Sequence, residues 1–275
     1  MELLVTLLRG IPAALLTGFF SVLIVLVSVT LGCKVADPLV FSWCNWVLRC
    51  AGLRTRAVGL EHVPSTGFVL AANHQSNLDP MVLFRYIHQH MRYVAKWEIR
   101  KVPLLGQAVA WGGNICVRRD GKSDQGAIEE AARRIHQGTN VVFFAEGTRS
   151  LDGKLQPFKK GAARVAIAAQ VPILPVALAG VRDAWPRGKL RIKKAKATLV
   201  VGKPIPTEGL TMADAESLTA RVQAAVALLL AEGEALLEQW KQKGAGKKGE
   251  ATLGVDAVLE MDKSEERCAN SIGQQ

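Results

Sequence analysis

Apolar residues crowd the first fifty positions and then break into short alternating groups. Residues 11–33 run for 23 positions without a charge, long enough as a helix for a hydrocarbon core of roughly 30 Å. A cleaved leader would carry a shorter apolar core, roughly 7–15 residues, behind a strongly basic start. Here only Arg9 precedes the run, and Leu31-Gly32-Cys33-Lys34 is a poor cleavage site, which favours retention. A second apolar stretch, residues 38–48, holds Trp43 and Trp46. It is too short to span but suits the boundary between lipid and water. Two architectures fit: one full span followed by an interfacial helix, or two helices dipping into one leaflet. Lys34, Arg49, Arg54 and Arg56 follow the long run against Arg9 alone before it, so the positive-inside tendency puts the C-terminal side in the cytoplasm.

After Arg56 the pattern alternates between β-rich runs and helical stretches. Strands are predicted over 68–72, 92–96, 114–118, 140–145, 173–179 and 190–201. Helices are predicted over 80–90, 98–111, 123–137 and 161–170, and a closing one over 211–240 carries Leu218, Val222, Val226, Leu229 and Leu230 on one face. Such alternation implies an α/β domain with a largely parallel sheet and flanking helices. Residues 243–249 have linker composition, and the tail to Gln275 has too few apolar residues for a core. The expected division is therefore 1–55 for N-terminal membrane helices, 56–240 for the α/β domain and 241–275 for a disordered tail.

Composition narrows the partners. Lys and Arg number 35 against 24 Asp and Glu, a formal charge of +11. Residues 241–275 hold six of each sign, so the whole excess lies on residues 1–240. So basic a protein seeks polyanions, an anionic membrane face or phosphorylated substrates. With aromatics at 6% and basic residues scattered among apolar elements, nucleic acid is not an expected partner. Five cysteines lack CxxC spacing and neighbouring histidines, so no metal site and no disulfide framework is expected.

Two segments carry most of the chemistry. The first is Asn73-His74-Gln75-Ser76-Asn77-Leu78-Asp79-Pro80, between a buried strand and a helix. Asp79 and Pro80 suit a helix start as N-cap and first residue, but that leaves His74 without a role. Five residues apart on a helix, the two side chains would diverge by about 140°; across a strand-to-helix turn they can meet. A carboxylate would then fix the imidazole tautomer and leave the other nitrogen free to take a proton. The second is Phe144-Ala145-Glu146-Gly147-Thr148-Arg149-Ser150, where an apolar strand ends in a polar turn. Parallel sheets bind ligands at such ends, and a glycine beside an arginine brings backbone amides and a guanidinium to a phosphate. Alternatively this is only a turn held by an ion pair. Ile115-Cys116-Val117-Arg118 adds a second candidate phosphate contact, with Cys116 in the core or a lining position rather than a nucleophile. The stretch Val171-Pro172-Ile173-Leu174-Pro175-Val176 looks structural.

These four segments, in this order, resemble the glycerolipid acyltransferase family, and within it the bacterial 1-acylglycerol-3-phosphate acyltransferases. The resemblance covers roughly residues 56–201, and the apolar N-terminal hairpin is also typical. It implies that family's mixed α/β fold and transfer of an acyl chain from acyl-CoA or acyl carrier protein to the 2-hydroxyl of lysophosphatidic acid. His74 would be the general base and Asp79 its orienting partner. Arg118, Arg149 and Lys96 would hold the phosphate, and Glu146, Gly147 and Thr148 would shape the acceptor pocket. No cofactor is implied beyond the thioester donor, and the partners are membrane lipids; a bacterial inner membrane, with the catalytic domain on the cytoplasmic side, is the expected place. Ala145 departs from the family's usual proline, which should alter turn rigidity more than chemistry.

Other readings stay open: another lysolipid as acceptor, a non-catalytic lipid-binding protein of the same fold, or a hydrolase using water. The absence of a Gly-x-Ser-x-Gly elbow removes the commonest hydrolase design. Lys189, Arg191 and Lys193 alternate along the expected strand at 190–201, giving it a basic face for anionic headgroups or merely for solvent.

Overall fold

The computed structural model describes residues 2–65, 67–117, 124–189 and 191–246. Two helices lead, α1 (Glu2–Thr30) and α2 (Asp37–Ala51), followed by β1 (Leu53–Val58) and β2 (Val69–Ala72). Then come α3 (Asp79–Tyr86), β3 (Met91–Lys96), α4 (Leu105–Trp111), β4 (Ile115–Val117), α5 (Asp124–His136) and β5 (Asn140–Phe144). The set closes with α6 (Gly161–Ala169), β6 (Ile173–Ala179), the single turn α7 (Val181–Ala184), β7 (Ala195–Val201) and α8 (Ala215–Gly246). The strands form one seven-stranded sheet in the order β1-β7-β6-β2-β5-β3-β4. Every pairing is parallel except β6 with β7. The fold is therefore mixed α/β with a largely parallel sheet, as the alternation implied.

Alternate side chains of the central strands serve opposite faces. Leu70, Val142 and Leu174 pack with Leu48 of α2 and Leu83 of α3. Val69, Val141 and Ile173 pack with α5, α6 and the Leu218, Val222 and Val226 stripe of α8. With both faces covered, the middle strands read as continuous apolar runs rather than alternating ones. Met1–Leu237 make one compact unit; a second unit, Glu238–Gln275, is described only as far as Gly246, in helix. The tail expected from 241 onward lies mostly outside the described residues.

Several expectations shift in detail, and the helix expected over 80–90 ends at Tyr86. The helix expected over 98–111 is a 3-10 segment, Trp97–Lys101, and then α4. Pro103 separates them, since the residue before a proline is pushed to extended backbone and Val102 adopts it, at φ −75° and ψ 120°. The strand expected over 190–201 starts only at Ala195, because its partner β1 begins opposite it at Leu53. Lys189, Arg191 and Lys193 therefore lie on irregular chain, not on one strand face. Finally, β1 at Leu53–Val58 is a strand that the pattern of apolar positions does not predict.

The N-terminal hairpin is fastened to the sheet. Asp37 Oδ2 lies 2.6 Å from Nδ1 of His90, and its Oδ1 lies 2.9 Å from Nη2 of Arg92. The same Arg92 nitrogen donates to the Cys33 carbonyl at 2.7 Å. Helix α1 lies along the domain: Thr6 Oγ1 accepts from the Ile192 N–H, Trp43 Nε1 donates to Thr17 Oγ1, and Phe20 and Ile24 cluster with Ala108 of α4. Among the described residues, α1 is the one helix long and apolar enough to cross a membrane. Its Leu4, Leu8, Ile11, Leu15, Val22 and Leu26 are all exposed. Successive members lie three, four or seven positions apart, which at 100° per residue puts them on one face.

Candidate active site

β2 and β5 are neighbours at the centre of the sheet, so the loops leaving their C-terminal ends emerge side by side. The first carries residues 73–79 and the second residues 145–150. Asn73 extends the β2–β6 ladder with its side chain: Nδ2 donates to the Leu178 carbonyl at 2.9 Å and Oδ1 accepts the Leu178 N–H at 2.8 Å. The loop that follows is thereby fixed at its root.

His74 and Asp79 meet across the turn. Nδ1 of His74 donates to Oδ2 of Asp79 at 2.7 Å, with Asp79 fully buried and His74 partly open. A carboxylate only accepts, so Nδ1 carries a proton, and in the neutral ring Nε2 is the nitrogen with a free lone pair. The carboxylate does not cap α3. Oδ2 instead accepts the N–H groups of Gln75 at 2.6 Å and Ser76 at 2.8 Å, while Leu78 occupies the N-cap position. The imidazole stacks on Phe144, centroids 4.0 Å apart and planes 16° apart, and Phe144 stacks in turn on Tyr93.

Glu146 holds the two loops together rather than lining the pocket. It is 4% exposed, and its two carboxyl oxygens accept the N–H groups of His74 at 2.7 Å and Gln156 at 3.0 Å. Burial pushes its carboxyl above the ordinary value, against the opposing pull of those two bonds. The Ser150 N–H donates to the His74 carbonyl at 2.8 Å, and Arg149 Nη1 donates to Asn77 Oδ1 at 2.7 Å. Gly147 stands at φ +72°, where any side chain would be strained and a Cβ would come within 3.0 Å of the Lys159 side chain. The Ala145 N–H donates to the Ala72 carbonyl at 2.9 Å, a bond that a proline could not make.

One cavity of about 830 Å³ gathers His74, Asn77, Lys96, Gly147, Thr148 and Arg149 at one part of its lining. Arg187, from the basic stretch ahead of β7, belongs to the same lining. Elsewhere the wall is mostly apolar, with Gly10, Ala13, Ala14 and Gly18 of α1, Val40 and Trp43 of α2, and Leu104, Leu105 and Ala108 around α4, interrupted by Thr17, Ser21, Arg92 and Asn114. Small residues on this flank of α1 leave the bore open. Arg118 lies outside the described residues. Burial raises the Cys116 thiol above its ordinary value, which keeps it protonated and unreactive.

This arrangement can deprotonate a hydroxyl at His74, hold an anion at Arg149 and house a long apolar group beyond. Residues 54–179 match the acyltransferase family. The human 1-acyl-sn-glycerol-3-phosphate acyltransferase alpha is 33% identical over 175 residues, 62% of this chain and 62% of its own length. A chloroplastic 1-acyl-sn-glycerol-3-phosphate acyltransferase of Brassica napus is 35% identical over 156 residues, 55% of this chain and 45% of its own. The crystal structure of the 1-acyl-sn-glycerophosphate (LPA) acyltransferase PlsC from Thermotoga maritima superposes with a TM-score of 0.70 at 25% identity, covering 82% of this chain and 92% of that one. The chain spans about three fifths of the length of the human relative and under half of the Brassica one.

Proposed function

The chain belongs to the acyltransferase family through its domain at residues 54–179, and from that premise we propose that it moves a fatty acyl group from a thioester to the free 2-hydroxyl of lysophosphatidic acid. The observation that carries this reading is the His74–Asp79 pair at 2.7 Å, set on one cavity with Arg149 and a long apolar wall. The acceptor phosphate sits at Arg149 with its hydroxyl near Nε2 of His74. Nε2 takes the hydroxyl proton as the oxygen attacks the thioester carbonyl, and Asp79 stabilises the imidazolium that forms. Collapse of the tetrahedral intermediate breaks the C–S bond, and the imidazolium returns the proton to the leaving thiolate. No acyl-enzyme is formed and no metal is required. Coenzyme A and acyl carrier protein both present the acyl group as the same thioester.

We further propose that α1 lies in one leaflet rather than spanning the bilayer. Its contacts with the domain run from Thr6 to Ile24, whereas a spanning helix would leave the domain behind within a few turns. Its exposed row of leucines and isoleucine suits the acyl region just below the headgroups. On this reading both substrates' chains lie beside the cavity; the basic residues that follow α1, Lys34, Arg49, Arg54 and Arg56, support the cytoplasmic face for the catalytic domain.

The test is transfer of labelled acyl chains by the purified full-length chain in lysophosphatidic acid vesicles, with acyl-CoA and acyl carrier protein donors compared. Phosphatidic acid should form, and His74→Ala should reduce its rate by roughly 10²–10⁴-fold. A His74→Ala variant with most of its activity intact would refute the base assignment.

A further inference from the structure

Arg149 and Arg187 face one cavity and touch: an Nη1 N–H of Arg187 donates to the Arg149 carbonyl at 2.7 Å. Among the described residues neither has a carboxylate within ion-pair distance, unlike Arg92, Arg133 and Arg134, which each have one. Burial, and then the positive charge of Arg187, hold the Arg149 guanidinium below its ordinary value. Two cations kept together without a counter-ion repel each other until an anion arrives.

Arg187 is also firmly placed. Ser76 Oγ, in the histidine loop, donates to the Trp185 carbonyl at 2.9 Å, and Ser76 bridges Pro186. Arg182, from the same α7 segment, donates to the Leu151 carbonyl at 2.6 Å. The segment ahead of β7 is thus sewn to both loops of the site. One N–H of Arg187 is spent on the Arg149 carbonyl, which leaves four for a ligand.

We propose that Arg187 is a second guanidinium of the acceptor-phosphate subsite, and that the Arg149–Arg187 pair selects a terminal phosphomonoester over a phosphodiester headgroup. This rests on the acyltransferase reading above. A monoester near neutral pH carries close to two charges on three free oxygens, enough to accept from two forks. A diester carries one charge on two free oxygens, and its headgroup substituent occupies the space where the second fork would bind.

The experiment compares lysophosphatidic acid with lysophosphatidylglycerol as acceptors, using the full-length chain and saturating acyl-CoA. Gln is the informative replacement, because it keeps a polar side chain on the same three carbons while the charge and the guanidinium fork are gone. Arg187→Gln should raise KM for lysophosphatidic acid about 10- to 100-fold, the range of a charge-assisted bond. It should leave kcat and the KM for acyl-CoA within about threefold, and lower the preference for the monoester at least tenfold. A second reading needs no variant. In the parent, KM for lysophosphatidic acid should fall as pH rises through about 6, where the monoester gains its second charge, and KM for the diester should not. Equal losses for both acceptors, or an unchanged KM, would reduce Arg187 to a clamp on the Arg149 loop and overturn the proposal. No transfer by the parent to either acceptor would instead overturn the acyltransferase reading, taking this subsite with it.

Discussion

Asp79 steadies His74 with a single oxygen. Oδ2 receives the imidazole N–H and the N–H groups of Gln75 and Ser76, while Oδ1 is buried without a hydrogen-bond partner among the described residues. Ring orientation and loop shape therefore hang on the same atom. Asp79→Asn can keep an oxygen facing the three donors, but it puts an NH2 where Oδ1 has no acceptor, and it removes the charge. We expect kcat to fall by about 10²–10⁴-fold. We expect stability to fall by about 1–3 kcal/mol, the cost of an unsatisfied buried donor. Loss of stability without loss of kcat in a folded Asp79→Asn would contradict the catalytic role.

Glu146 gives a pH-dependent prediction. An acid whose folded value is raised binds protons more readily folded than unfolded, so its ionisation costs stability as pH rises from the ordinary carboxylate range through the raised value. Glu146→Gln removes that cost. The Tm of the variant, relative to the parent, should therefore improve as pH rises above the ordinary carboxylate range of about 4. Activity should fall about tenfold or more, since an amide can accept only one of the N–H groups of His74 and Gln156. Parallel Tm curves for variant and parent would show that the carboxyl is not perturbed.

Arg149→Ala should raise KM for lysophosphatidic acid about 10- to 100-fold and leave KM for the thioester within about threefold. Arg149→Lys should recover only part of this, because an ammonium cannot form a fork with two phosphate oxygens. Steady-state kinetics with each substrate varied in turn decide it. A matched rise in both constants would make Arg149 a structural residue that braces Asn77.

Ala13, on the flank of α1 that faces the cavity, gives a test of the apolar wall. Ala13→Leu adds three carbons to the bore. Overpacking of a filled site costs about 1–3 kcal/mol, so kcat/KM for an 18-carbon donor should fall about tenfold or more against a 12-carbon donor. Acyl-chain competition assays measure the ratio directly. An unchanged ratio would place the acyl chain elsewhere.

Much of the scaffold was legible because the central strands are buried on both sides and stand out as apolar runs, 140–145 and 173–179 above all. The histidine and arginine loops were legible because polar residues interrupt those runs abruptly. What was not legible depended on partners distant in sequence. The start of β7 is set by where β1 begins, which the basic run at 187–196 does not announce. Glu146 looked like a lining residue because nothing local shows that its oxygens reach backbone ten and seventy-two residues away. Asp79 looked like a helix cap because Asp-Pro so often is one, yet its oxygen turns back to the loop before the helix. Arg187 is one of six basic residues between 187 and 196, and the Ser76 contacts with Trp185 and Pro186 are what bring it to the site.

Helix α1 shows one flank to the cavity and another to the exterior, which makes its outer contacts part of the bore's dimensions. Pressure or slack on the outside, from whatever α1 rests against, reaches the wall that Ala13 and Gly18 form inside. Trimming the chain to residues 56–240 would therefore open the cavity along one side rather than release a compact soluble enzyme. On the proposed reading address and selectivity share one element, and a change that retunes either is expected to disturb the other.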